Sequence, residues 1–446
     1  MFVRLPDIPA APQPGGLLAN VRAFRHEPLD LFVAAARVGE PLLTFRLGPL
    51  TVLGVFDPDL VEEVLVNKPD RYVKATRGQN LLRALLGNSM LTTEGATWKE
   101  RRRLAQPHFR QKILDRYRPA IARAAADTAD RWAAREGPVD VGEEMMAVTL
   151  RVATEALFGG ELGRRAETVH ETLTELLDTY MWMVTAPLPA VDRFPVGPSR
   201  RFRAARARLG QVVDEVVERR RGASGAPPDL LGDWLEAGLD AEALHSEVVT
   251  MLLAAHETTA NLLTWTFALL SRHPTVRQRV VEELEARDAS TPLDLRTLPW
   301  LYGTLMESLR LLPPVWMMSR STVGTEQLGG HTLPPNTFVF SCTYAMQRDP
   351  RFWDNPEGFD PMRWQGRPAH RMAFVPFGAG QRRCIGEHFA LLEASEVLAH
   401  VLTRVQADLV PGQALSPKPS VTLRPDGPVW MTVRPREPAV QSAVAK

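Results

Sequence analysis

Cysteine is scarce: the 446 residues hold two, Cys342 and Cys384. A disulfide-built scaffold is excluded, and so low a count predicts a reducing, cytoplasmic setting. Net charge is nearly absent too, at +1, which argues against a globally basic nucleic-acid binder. No run of about 20 apolar residues occurs, so no membrane anchor is expected. Pro6, Pro9, Pro12 and Pro14 interrupt any apolar stretch near the start, so no secretion signal is expected there. There is no Cys-x-x-Cys-His attachment site, no Cys/His cluster at zinc spacing and no dinucleotide fingerprint. Neither a Ser/Gly-rich linker nor a repeat divides the chain, and residues 1–446 are expected to form a single domain.

What is present is 45% hydrophobic, ample for a large core. The pattern predicts a mainly α protein with a minor β region. A β-rich N-terminal part is expected over about 20–60, with a strand pair at 41–48 and 50–56 and a helix opening at Asp57-Pro58. Residues 70–95 read as a long loop holding a short helix near Leu81–Leu86. A helical core is expected over about 98–312, broken at Pro187–Pro195 and Gly222–Pro228. Its longest helix runs from Asp240 through Leu270, and shorter ones cover 275–287 and 300–312. Strands and loops follow, then a helix over 387–405 and strand pairs in the tail. The arginines of 200–208 read as a solvated helix face, with Asp214, Glu215 and Glu218 nearby.

The most informative stretch is 377–386, which reads Phe377-Gly378-Ala379-Gly380-Gln381-Arg382-Arg383-Cys384-Ile385-Gly386. A single cysteine is often only a small core residue. Here three glycines allow sharp turning or close approach. The start of a helix and two arginines offer amide donors and positive charge, which favour a thiolate. The spacing Phe-x-x-Gly-x-Arg-x-Cys-x-Gly resembles the haem-binding loop of the cytochrome P450 family, in which an electron-rich thiolate ligates iron.

That resemblance extends over about residues 20–435 and implies the cytochrome P450 fold, with a long helix crossing the haem and the cysteine loop on its proximal side. Cys384 is implied as the ligand to the iron of haem b, with Phe377 packing on the sulfur side and Gly386 in the loop. Arg382, Trp98, Arg102 and Arg320 are implied at the haem propionates. Glu307 and Arg310 share a helix face; they match the family's Glu-x-x-Arg pair, with Arg363 as third member and Met362 where Glu is often found. In the long helix, Ala254-Ala255-His256-Glu257-Thr258 resembles the oxygen-activating motif. Ala255 stands where Gly is common, Thr258 is implied to handle dioxygen, and Glu257 to relay protons. His256 occupies a variable position.

By family position, Leu82, Leu86, Met183, Met251, Ala255, Trp316 and Met317 line the substrate pocket, an apolar and adaptable set. It predicts a sizeable hydrophobic substrate, such as a terpenoid, a carotenoid-like molecule or a fatty acid, that is hydroxylated or epoxidised. Electrons are implied to come from a ferredoxin and its reductase, or a flavodoxin, so NAD(P)H takes part only indirectly. Lys99, Arg101, Arg103, Arg110 and Arg383 are candidates for the landing site. Two rival readings share the cysteine loop: a peroxide-driven peroxygenase or isomerase, and a non-enzymatic haem-dependent sensor. The retained Glu257–Thr258 pair and the lack of an output domain separate the main reading from both.

Overall fold

The computed structural model describes residues 5, 7–12, 17–47, 50–160, 165–185, 197–222, 229–288 and 290–436. The break predicted at Pro187–Pro195 and residues 223–228 of the second break lie outside them.

The molecule is organised around the helix Ala241–Arg272, 32 residues long and so about 48 Å from end to end. Asp240 caps it by accepting the amide of Ala243 at 2.8 Å. Most of its side chains are buried on every side, as befits a helix apolar all round. It packs against the helices Val141–Phe158, Gly197–Gly222, Pro299–Leu311 and Glu387–Arg404.

A five-stranded sheet lies to one side, in the order Leu42–Leu47, Leu50–Val55, Phe338–Ser341, Met318–Thr322 and Tyr72–Val73. The first pair is antiparallel, with Leu42 opposite Val55. Leu50–Val55 and Phe338–Ser341 run parallel. A smaller sheet joins Pro138–Asp140, Trp430–Pro435 and Val405–Leu409. The hairpin Pro417–Pro419/Leu423–Pro425 reaches back to the long helix.

The strand pair, the Asp57-capped helix at Pro58, the long helix and the strands of the tail follow the predicted pattern. The β-rich N-terminal part does not extend back to residue 20. Leu17–His26 and Pro28–Ala36 are helices. In the first, Leu17, Leu18, Val21 and Phe24 recur at helical spacing. In the second, Pro28 sits in the first turn, ahead of the buried Leu31, Phe32, Ala35 and Ala36.

Candidate active site

The loop before the last helix is built to present Cys384. The amide of Cys384 donates to the Phe377 carbonyl at 2.8 Å and closes the loop on itself. Gly378 and Gly380 have φ of +69° and +64°, in the left-handed region. A Cβ on Gly380 would stand 2.2 Å from the Leu65 carbonyl oxygen, so the loop lies flush on a neighbouring backbone. Gly386 differs: a Cβ there would meet only the Phe109 ring, at an ordinary 3.7 Å. Its contribution is its amide, which donates to the Cys384 sulfur.

Cys384 retains accessible surface but lies deep in the protein, and burial pushes its thiol up to about 11. The Gly386 amide, Arg102 and Arg383 act in the opposite sense without prevailing. Arg382 is committed to an ion pair with Glu94, and Arg383 to Glu387 at 2.6 Å. A coordinating cation is what deprotonates a thiol so placed. Cys342 is wholly buried, donates to the Trp316 carbonyl at 3.5 Å, and has its thiol pushed up to about 12 by burial.

Beside the cysteine loop lies a rim of cations. Arg382 donates to the Thr93 carbonyl at 2.7 Å and lies 4.1 Å above the ring of Trp98. Arg102, one turn along from Trp98, donates to the Arg383 carbonyl at 2.9 Å. Buried Arg320 bonds the Ser319 carbonyl, and burial depresses it to about 10. Lys74 joins them, a residue that sequence reasoning missed. Burial, then the repulsion of Arg320 and Arg382, brings its ammonium down to about 7. Its Nζ donates to the Leu91 carbonyl at 2.9 Å. Glu94 is the carboxylate acting on Lys74, Arg320 and Arg382 alike. Four cations, three of them sharing one carboxylate, suit a cofactor edge bearing two further negative charges.

A buried network joins Glu307, Arg310 and Arg363. Glu307 and Arg310 have no side-chain exposure. They meet through two parallel bonds, of 2.7 and 2.8 Å, the fork geometry that makes arginine the partner of a buried carboxylate. Arg310 also donates to the carbonyls of Gln347, Pro356 and Gly358. Arg363 reaches Glu307 at 3.3 Å. On either side of Met362, the Trp364 indole and the Asp360 amide donate to Glu307 at 2.9 and 3.1 Å.

Within the buried long helix, Ala254 is exposed and Ala255 and Thr258 are partly so, so the helix presents accessible surface at this point. The Thr258 hydroxyl donates to the Ala254 carbonyl at 2.8 Å. Glu257 is 2% exposed, and burial raises its carboxyl to about 7, against a hydrogen bond from Thr422 and the charge of Arg424. His256 has its Nδ1 2.9 Å from the Leu252 carbonyl; burial lowers it to about 4, so it is a neutral ring donating to the backbone. Leu82, Leu86, Met183, Met251 and Trp316 belong to one apolar cluster, with Ala255 and Met317 packed against it. Of the candidate landing residues, Lys99, Arg103, Arg110 and Arg383 are exposed. Arg101 is not among them: its side chain turns inward, 15% exposed, to within 3.9 Å of Glu247.

The family model Cytochrome P450 matches residues 9–431. Cyclooctatin synthase of Streptomyces melanosporofaciens is 33% identical, over 95% of both chains. Cyclooctat-9-en-7-ol 5-monooxygenase of the same organism is 34% identical, over 96% of this chain and 95% of its own length. Pentalenene oxygenase of Streptomyces avermitilis is 30% identical, over 91% and 93%. Among solved structures, CYP175A1 of Thermus thermophilus superposes with a TM-score of 0.77 at 31% identity, over 94% of this chain and 97% of its own. With the cysteine loop, the cation rim and the Glu307 network in one molecule, the chain belongs to the cytochrome P450 family and is a haem-thiolate monooxygenase.

Proposed function

We propose that this single-domain enzyme, working in the cytoplasm, hydroxylates or epoxidises a terpenoid, with electrons delivered by a ferredoxin and its reductase or by a flavodoxin. The observation that carries the site reading is the cation rim of Lys74, Arg102, Arg320 and Arg382 beside Cys384. Haem b fits it: Cys384 would hold the iron, Trp98 and the rim cations the two propionates, and Phe377 the sulfur side. When bound, that group supplies oxygen activation, which an axial thiolate favours.

The chain's own residues do the rest. Glu257, neutral below pH 7, keeps a proton inside the molecule, and Thr258 offers a hydroxyl on the accessible face one residue away. Leu82, Leu86, Met183, Met251, Ala255, Trp316 and Met317 exclude water and fit an apolar skeleton. The choice of a terpenoid rests on the relatives whose names specify cyclooctat-9-en-7-ol and pentalenene. The exposed Lys99, Arg103, Arg110 and Arg383 suit an acidic electron donor.

The ferrous–CO spectrum tests the ligand. A thiolate-type Soret band should appear, vanish in Cys384→Ala and persist in Cys342→Ala. A thiolate band in Cys384→Ala would refute the assignment. A binding-shift screen with cyclic terpenes, carotenoids and fatty acids tests the substrate class; a response to fatty acids alone would overturn the terpenoid reading.

A further inference from the structure

The tail hairpin Pro417–Pro419/Leu423–Pro425 brings Thr422 against the long helix. The Thr422 hydroxyl has one proton to give and two lone pairs. Asn261 Nδ2 donates to that oxygen at 3.1 Å, and an amide nitrogen accepts nothing in return. The hydroxyl proton is left for its other neighbour, Oε1 of Glu257, at 2.7 Å. The sense of the chain follows: Asn261 gives to Thr422, and Thr422 gives to Glu257. Oε1 is therefore an acceptor, while Oε2, equally buried, has no hydrogen-bond partner among the described residues. A neutral carboxyl has one proton to place; on Oε1 it would weaken the acceptor that the Thr422 hydroxyl meets, so Oε2 is the favoured carrier.

The charged groups that act on Glu257 are Arg424, two residues beyond Thr422 in the same hairpin, and Asp178, on the helix Ala166–Thr185. They are paired with one another, so their charges largely cancel at Glu257, and among the described residues Thr422 is its one direct side-chain hydrogen-bond partner. We propose that Thr422 is a positioning residue for proton handling: by occupying Oε1 it assigns the proton of Glu257 to Oε2. The proposal rests on the reading of Glu257 as the proton-holding acid.

Infrared spectroscopy of the full-length, haem-loaded protein tests it. The protonated-carboxyl band of Glu257 is identified as the one lost in Glu257→Gln, and it is titrated with pH. Removing a hydrogen bond to the carbonyl oxygen strengthens the C=O bond, so Thr422→Val should move this band to higher frequency. Since that bond favours the ionised form, the titration midpoint should rise by about one pH unit. Thr422→Ser should restore both. Coupling of consumed electrons to product should fall in Thr422→Val and recover in Thr422→Ser, with the ferrous–CO spectrum unchanged throughout. An unmoved band and midpoint in Thr422→Val overturn the proposal alone. Full coupling in Glu257→Gln overturns the reading beneath it, and the proposal with it.

Discussion

The carbonyl oxygen of Pro361 stands where a Cβ on Gly303 would be, 2.1 Å away. Glycine lets the helix Pro299–Leu311 and the short turn Pro361–Gln365 touch backbone to backbone. That approach is what delivers Arg363 and Trp364 to Glu307. A methyl group meets a main-chain atom here, which cannot rotate aside. Gly303→Ala should cost about 3 kcal/mol, read as a lowered urea midpoint, while Gly412→Ala, in open surroundings but at φ +79°, controls for backbone strain alone.

The Glu307–Arg310 pair should tolerate no loss of fork geometry. Both side chains are wholly buried, so removing one leaves a charge without its partner. Glu307→Ala and Arg310→Ala should each lose about 3–5 kcal/mol. Arg363, 16% exposed and held at 3.3 Å, should lose about 1–2 kcal/mol on change to Ala. Denaturant unfolding of the three variants checks this order.

Glu257 predicts the direction of the pH dependence. Its carboxyl is raised by burial to about 7 in the folded chain, from an ordinary 4.5. Coupled turnover should hold on the acid side and fall as the pH climbs through 7; Glu257→Gln should be flat and lower. The stability consequence has the same sign. Between 4.5 and 7 the unfolded acid ionises while the folded one stays neutral. Native stability should fall across that window, by up to about 3 kcal/mol. Thermal melts of Glu257→Gln should show a smaller decline than those of the unsubstituted protein.

Lys74 should govern cofactor retention. Its ammonium is buried and crowded by Arg320 and Arg382, so an incoming anion should stabilise it. Lys74→Met should release haem to an excess of a haem-scavenging protein about tenfold faster. Lys99→Met, altered at an exposed position, should release it at the unsubstituted rate.

What was legible in the chain is what is local. The cysteine loop spans ten residues, and Glu307 with Arg310 one helical turn, so their spacing alone brings them together. The long helix declares itself by its apolar length and its Asp240 cap. Thr422 and Glu257 are 165 positions apart, and no periodicity links a tail hairpin to a helix interior. Lys74 looks like any surface lysine until a later strand brings Arg320 against it. Arg101 reads as one of a solvated run, yet helical rotation sends it toward Glu247. The helices at Leu17 and Pro28 are short, and the strand pair that follows them closely carries the stronger pattern in that region.

Arg382 closes on the Thr93 carbonyl across 289 residues of chain. The two walls beside the cysteine are therefore made at very different times. At roughly 5–20 residues per second of synthesis, the first wall waits about 15–60 s for the second. Haem cannot be gripped by both walls before then, so cofactor capture should come late in, or after, synthesis of the chain. A cell that makes this enzyme faster than it makes haem should accumulate the full-length, empty protein rather than stalled fragments.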